Sequence, residues 1–501
     1  MTTTTAISRP RYGNWIRPRS AGFFGMTWGA SMVMIGVLMA SMFLLFINIL
    51  AGVICAVIGT ILLLPLVAPF GGRTGYERVY IRMKWTQRKL TGAHQYRSGP
   101  FSKVPGGRHR LPGILAHTDL YEALDALGNR YGIIHMPRTA QYTVIFACSP
   151  QGDDAIDPND IDTFVANWGQ YISILGEDAD VDLVAAVVET IPETGQRLRS
   201  EQARLTHRGA PTLAKQIMRE GAEQSTGLWQ LHARLAVTLR ANTPERKRDP
   251  SEMAVELGGR LPEMYEGLSM CGVGASPMPP AEIAGFVRRS YDPDCADTLE
   301  EILSGDDSAV SLTWDDCGPS TAQEAWDTYT HDSGVSAVLA MEEPPRGNAT
   351  TETILRRLLS GHHELPRKRL AMLYRPHSPG DAATITERDY NNAVTAVNNG
   401  TKAVPSAATV LRSRAAAKAR DDEAEGHGLV RFGSIITITA LSPEELPRQR
   451  SVLKSLTANA RIKTRPTYGY QAPAFAAGLG IGLVLPDHYS IPQSFTMSGD
   501  K

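Results

Sequence analysis

From Ser20 through Gly72 the chain carries no charged residue, a run of 53 positions. A helical crossing of a bilayer takes roughly 20 apolar residues. The run is too long for one crossing and fits two, and a backbone in lipid must pair its own peptide groups. The spacing predicts helices over Phe23–Leu45 and Ala51–Phe70, with a turn among Phe46, Ile47, Asn48, Ile49 and Leu50. Thr27, Ser31, Ser41 and Asn48 are scattered and form no polar face, unlike a surface helix. A cleaved signal peptide has a shorter apolar region, of about 7–15 residues.

Charge orients this hairpin. Arg9, Arg11, Arg17 and Arg19 precede it without an acid, and residues 73–110 hold ten basic residues against Glu77 alone. Basic flanks remain on the cytoplasmic side, so the expectation is a two-pass membrane protein with both termini cytoplasmic. Arg78, Arg82, Lys84, Arg88 and Lys89 then meet the anionic heads of the lipid bilayer.

The formal net charge of −1 conceals an asymmetry. Residues 1–110 carry a net +13 and residues 111–501 a net −14. A mildly acidic body argues against strong direct nucleic-acid binding, which draws on many Lys and Arg contacts to phosphate. Five cysteines without C-x-x-C spacing indicate reduced thiols rather than a disulfide framework. Asp294-Cys295 and Asp316-Cys317 lack histidines at zinc spacing, so no metal site is expected.

Beyond the basic flank, β-like and helical signals alternate. Tyr131–Met136 and Gln141–Cys148 predict a hairpin of strands. Asn159–Leu175 predicts a helix started by Asp157-Pro158, and Val181–Thr190 a buried strand closed by Pro192. Pro211–Glu220 predicts a helix. Leu231, Ala233, Leu235, Val237 and Leu239 alternate with His232, Arg234, Ala236, Thr238 and Arg240, the pattern of a half-buried strand. Ser251–Glu266 predicts a helix interrupted by Gly258-Gly259 and Pro262, and Leu268–Gly274 a short strand. Val335–Met341, Arg369–Tyr374, Leu429–Ala440 and Arg461–Arg465 read as strands. Asp381–Asn398, Val404–Glu425 and Pro443–Ala460 read as helices.

The expected fold class is α+β: a transmembrane helical hairpin followed by a cytoplasmic mixed α/β body of two subdomains. The expected layout is a basic tail (1–20), the hairpin (21–72), a basic linker (73–112), a first α+β subdomain (113–275), an irregular insertion or boundary (276–330) and a second α+β subdomain (331–501).

The chemistry-bearing motifs are thin. No G-x-x-x-x-G-K-[ST] phosphate loop occurs, and Gly400-Thr401-Lys402 lacks the upstream glycine. Gly478-Leu479-Gly480-Ile481-Gly482 has the wrong spacing for a dinucleotide fingerprint and reads as packing glycines near a helix end. His362-His363-Glu364 is not H-E-x-x-H and reads as loop, and no G-x-S-x-G appears. Asp178, Asp180 and Asp182 lack the loop glycine of a calcium site and read as solvated. The charged helix around Arg412, Arg414, Lys418 and Arg420 reads as a solvated face, with a partner-contacting arm as the alternative. No catalytic, cofactor-binding or metal-ligating residue is assigned, and the expectation is a protein that is not an enzyme and takes no cofactor.

Three stretches together carry a resemblance. They are the hairpin with Tyr76-Glu77-Arg78-Val79-Tyr80; the strand–helix order around Tyr142–Phe146, Trp168 and Trp229–Thr238; and Ala474–Gly478 with Gly482–Pro486. The chain resembles integral membrane proteins of actinobacterial conjugation-like type IV secretion systems. It is similar to a PrgI-like two-helix membrane subunit fused to the N-terminal domain of a TraC-like secretion ATPase. In that ATPase family a segment like Phe475–Pro486 comes shortly before the nucleotide-binding domain, which is not found before Lys501. The resemblance implies a membrane-anchored scaffold that oligomerises, docks a separate ATPase and joins other channel subunits for DNA or protein transfer. The alternatives are a type VII secretion core component of the EccE kind and a membrane-bound enzyme.

Overall fold

Asn48 is where the long apolar stretch turns. Its side-chain oxygen accepts hydrogen bonds from the backbone N–H groups of Leu50 (3.0 Å) and Ala51 (3.3 Å), the role of a helix N-cap. Helix α1 (Trp28–Ile47) ends just before it and α2 (Ile49–Val67) begins just after. Gly52 and Gly59 let the two helices approach: an added Cβ would stand 2.5 Å from Leu45 Cγ at the first and 2.3 Å from Val37 Cγ1 at the second. A two-residue strand pair follows, β1 (Pro69–Phe70) with β2 (Arg73–Thr74), and then α3 (Gly75–Leu90).

These observations come from a computed structural model, which describes residues 13, 15, 28–67, 69–70, 73–100, 102, 104, 107–152, 156–178, 180–207, 209–224, 229–304, 312–345, 350–398 and 406–488. Among the described residues, no helix is long and apolar enough to cross a membrane. The two-pass transmembrane topology, the membrane localisation and the cytoplasmic placement of both termini are corrected accordingly: the described element is a helical hairpin. Positions 1–12 and 16–27, which include the flanking Arg9, Arg11, Arg17 and Arg19, lie outside the described residues.

Two units divide the described residues. The smaller lies within Asn14–Ala93 and Ala383–Glu425 and holds α1–α3, most of α12 (Pro379–Asn398) and α13 (Ala407–Ala424). Ser406 caps α13 by accepting from the Thr409 N–H at 3.2 Å, and Arg420 lies 3.9 Å over the Tyr390 ring.

The larger unit, within His94–Ala382 and Gly426–Leu485, is organised by one antiparallel sheet. Its strands are β3 (Gln95–Arg97), β4 (Asp119–Leu124), β5 (Arg130–Met136), β6 (Gln141–Pro150), β7 (Val181–Pro192), β8 (Trp229–Arg240), β9 (Val273–Pro277), β10 (Thr321–Glu324), β11 (Tyr329–His331), β12 (Gly334–Glu343), β13 (Lys368–Pro376), β14 (Val430–Ala440) and β15 (Lys463–Pro466). The order across the sheet is β3-β10-β11-β12-β14-β13-β7-β8-β6-β5-β4, with β15 beside β12 and β9 beside β6. The N-terminal strands β4–β9 and the C-terminal strands β12–β15 meet where β7 pairs β13, from Thr190↔Lys368 to Val184↔Tyr374.

Alternation in each strand assigns its two faces. Ile133, Val144, Val184 and Leu235 point into one core with α4 (Pro158–Glu177) and α8 (Pro250–Met270). Their neighbours Ile134, Ile145, Ala185 and Ala236 point the other way. There they join Ala371 and Ile435 from β13 and β14 in a core shared by both parts of the sheet. Helices α9 (Pro280–Tyr291) and α15 (Gln471–Gly478) cover this shared face. A third core joins Ile436, Ile438 and Leu370 to α14 (Leu446–Asn459). Peripheral helices are α5 (Gln196–Leu205), α6 (Thr212–Gln224), α7 (Pro244–Arg248), α10 (Ala296–Ser304) and α11 (Arg356–Leu359).

Helix α8 departs from the expected break. It runs through Gly258-Gly259 and Pro262 to Met270, so the strand expected over Leu268–Gly274 starts only at Val273. Leu257, Leu261, Met264 and Leu268 recur at helical spacing and are all buried. A fully buried Leu contributes about 1.5–3 kcal/mol, so this stripe outweighs the local cost of the glycines. Gly258 is also required: a Cβ there would meet the Leu124 carbonyl oxygen at 2.9 Å.

Candidate anion-binding centre

The apolar shared face turns polar at the middle of the sheet. Along β7 the residues on this face run Ala185, Val187, Glu189; along β8, Arg234, Ala236; along β13, Arg369, Ala371; along β14, Ile435, Thr437. Register places Glu189 opposite Arg369, and Arg369 opposite Thr437. Helix α9 brings Phe286, Arg289, Ser290 and Tyr291 over this row.

Three guanidiniums converge on one carboxylate. Arg234 Nη1 donates to Glu189 Oε2 at 2.9 Å and Arg369 Nη1 donates to Oε1 at 3.1 Å; Arg289 Nη2 lies 3.5 Å from Oε2. The side chains of Arg234, Arg369 and Glu189 are 4%, 5% and 7% exposed. Arg369 Nη1 also donates to Ser290 Oγ at 2.8 Å, and Arg234 uses Nε and Nη2 to hold the Leu479 carbonyl at 3.2 and 3.1 Å. Arg234 lies 4.2 Å over the Phe286 ring and Arg369 5.0 Å over Phe475, the geometry of cation–π attraction.

Burial pushes the Glu189 carboxyl up, but the combined field of Arg234, Arg369 and Arg289 outweighs it and holds the group well below the usual carboxylate range. Burial likewise brings Arg234 down to about 10, against the pull of Glu189, and lowers Arg369. With one carboxylate for three guanidiniums, the centre keeps an excess of buried positive charge.

A cavity of about 320 Å³ opens beside the centre. Glu189, Arg289, Ser290, Arg369 and Thr437 line it, and exposed Asp294 and Asp297 belong to its outer part. Arg367 also lines it, lowered by burial and opposed by the charges of Asp294 and Glu445. Among the described residues, buried Arg369 Nε and Nη2, Arg289 Nε and Thr437 Oγ1 have no hydrogen-bond partner. The lining offers donors and positive charge. Lys368 also lines the cavity, and burial brings its ammonium down to about 8.

Of the motifs weighed in the sequence, the glycine run reaches the centre, where Arg234 holds the Leu479 carbonyl, and Asp294 lines the cavity. Gly480 and Gly482 adopt φ of +73° and +84°, and a Cβ on Gly482 would come within 1.8 Å of Thr143 Oγ1. These glycines let the segment after α15 cross the sheet. Asp178, Asp180 and Asp182 do not simply face solvent: Asp178 pairs Arg260 at 2.5 Å and Asp182 pairs Arg240 at 2.8 Å, while Asp180 bonds Asn242. The loop histidines are held apart from the cavity lining. His363 meets the edge of Trp229 and Glu364 pairs Arg448. Gly400-Thr401-Lys402 lies outside the described residues. All five cysteines are free.

Sequence alternation missed the centre because Arg234 occupies the polar phase of its strand and so reads as solvent-facing, whereas β8 is buried on both faces from Arg234 to Leu239. Arg369 opens the strand expected over Arg369–Tyr374, which β13 extends to Lys368–Pro376, but its partners Glu189 and Ser290 lie far away in sequence. The available signal was Glu189, the lone acid inside the apolar run Leu183–Pro192.

Among known proteins, residues 19–77 match a family model described as a domain of unknown function, DUF8461. The match covers the hairpin and the start of α3, not the sheet. No characterised protein matches the chain at a significant level.

Proposed function

We propose that this chain is a scaffold subunit of a conjugation-like type IV secretion machine, whose sheet body docks a separate ATPase and works beside other channel subunits as an oligomer. It is a binding body and not an enzyme. The observation that carries this reading is the seating of the segment Phe475–Pro486. In the ATPase family that the chain resembles, such a segment leads into the motor domain. Here Phe475, Leu479, Ile481, Leu483 and Val484 are buried, and Arg234 clamps the Leu479 carbonyl from the centre of the sheet. A segment tied this firmly to the centre of the body is a rigid base from which a motor can be positioned. The absence of a phosphate loop from the sequence agrees with a motor supplied by another chain.

Deleting the gene and scoring transfer of a marked plasmid tests the reading. Transfer should fall by orders of magnitude and return when the whole chain is supplied in trans. Undiminished transfer in the deletion strain would overturn it.

A further inference from the structure

We infer that the cavity beside Glu189 binds the phosphate group of a small phosphomonoester, held by Arg369, Arg289 and Thr437. This inference is independent of the proposed scaffold role. Nε and Nη2 of a guanidinium form the edge whose two N–H bonds run parallel, the fork that grips an oxyanion in a bidentate manner. In Arg369 the remaining nitrogen, Nη1, is committed to Glu189 and Ser290, while the fork edge is buried without a protein acceptor. An unpaired buried donor on a charged group costs more than a satisfied one contributes, so a protein that retains this fork has reason to fill it.

Two further donors reinforce the argument. Arg289 and Thr437 line the same cavity, and Arg289 Nε and the Thr437 hydroxyl are also buried without partners. Glu189 neutralises one of the three guanidiniums and fixes their positions, which leaves positive charge for a ligand. The carboxylates of Glu193, Asp294 and Asp297 also line the cavity. Asp294 and Asp297 are exposed and lie in water, where opposing charge is screened, so the anionic end of a ligand belongs at the buried end. A volume of about 320 Å³ exceeds what phosphate alone fills and lies at the small end of the range for ligand sites, about 300–1,000 Å³. A phosphate on a small organic body fits both the donors and the space.

Calorimetric titration of the full chain with inorganic phosphate, at fixed ionic strength set with chloride, tests the site, with acetate as the carboxylate arm. Saturable binding of phosphate is expected, at least about tenfold tighter than acetate. Arg369→Lys keeps the charge and removes the fork; Arg289→Gln removes a half-buried donor. Each should weaken phosphate binding about tenfold. Thr437→Val keeps the shape and deletes a hydroxyl that has no protein partner. It should weaken binding severalfold without lowering the thermal midpoint of the unliganded chain, which keeps the test sound should an arginine variant fail to fold. No saturation through about 10 mM phosphate, equal affinity for acetate, or unchanged phosphate affinity in both Arg289→Gln and Thr437→Val would overturn the assignment.

Discussion

Replacing Glu189 with Gln tests whether the centre of the sheet is built on a carboxylate. The substitution keeps the side chain's shape and removes the charge on which Arg234, Arg369 and Arg289 converge at 2.9, 3.1 and 3.5 Å. Unit charges about 4 Å apart attract by about 4 kcal/mol at an effective dielectric of about 20. Desolvation of the ions offsets much of that attraction, and breaking a buried pair costs about 3–5 kcal/mol net. Glu189→Gln strands three guanidiniums against one another, so we expect a loss near the upper end, about 5 kcal/mol. Urea unfolding followed by far-UV circular dichroism and tryptophan fluorescence reads it directly. The pH dependence supplies a second arm. The unfolded carboxyl titrates near its ordinary 4.5 and the folded one lower, so the unfolded chain binds the extra proton below pH 4.5. The stabilisation is complete above pH 4.5 and lost as pH falls beneath it. The variant should lack that segment of the acid response. A loss under about 1 kcal/mol, or an unchanged response below pH 4.5, would refute the reasoning.

Three other outcomes follow from single residues. His331 is fully buried, with Nδ1 2.6 Å from the Tyr291 carbonyl and Nε2 2.8 Å from Ser336 Oγ, and burial brings it down to about 4 from 6.5. The unfolded imidazole therefore protonates first, and about 3 kcal/mol of stability should vanish between pH 6.5 and 4; a His331→Gln variant that keeps the full loss would contradict this. Gly482→Ala adds a Cβ 1.8 Å from Thr143 Oγ1 at φ +84° and should cost about 2–5 kcal/mol from strain and overpacking together. Gly113→Ala, at φ +65° with open space around it, should cost only about 1–2 kcal/mol, and equal thermal shifts for the two would show that close approach is not what requires Gly482. The purified chain should hydrolyse no ATP above background in a coupled assay, and turnover abolished by a point substitution within this chain would contradict the scaffold reading.

Regular elements were legible where one force set them. Helix α4 follows from Asp157-Pro158 and the stripe Phe164, Trp168, Ile172, and Asp157 does accept from the Asn159 N–H. Strands β5 to β8, β13 and β14 follow from β-branched and apolar alternation near their expected bounds. Boundaries failed where packing overrode local preference, as in α8, whose buried leucines carry it across two glycines and a proline. Short strands such as β3, β10 and β11 carry too few residues for a period to register; they form by pairing, Thr321 with the distant Arg97 and Tyr329 with Ser336 across a tight turn. The arginine centre was hidden for a related reason. A charge in an alternating strand marks the water face only when that face meets water, and here α9 covers it with Phe286 and Tyr291. The assembly of Glu189, Arg234, Arg289 and Arg369 depends on register between strands far apart in sequence, which no local pattern encodes.

The scaffold role is tested most directly by cross-linking the chain in cells, purifying it through a C-terminal tag and identifying the cross-linked peptides. The account predicts links from the sheet body, including residues near Phe475–Pro486, to a phosphate-loop secretion ATPase. Recovery of that ATPase free of any link to this chain, while the chain's own internal links are found in abundance, would contradict it.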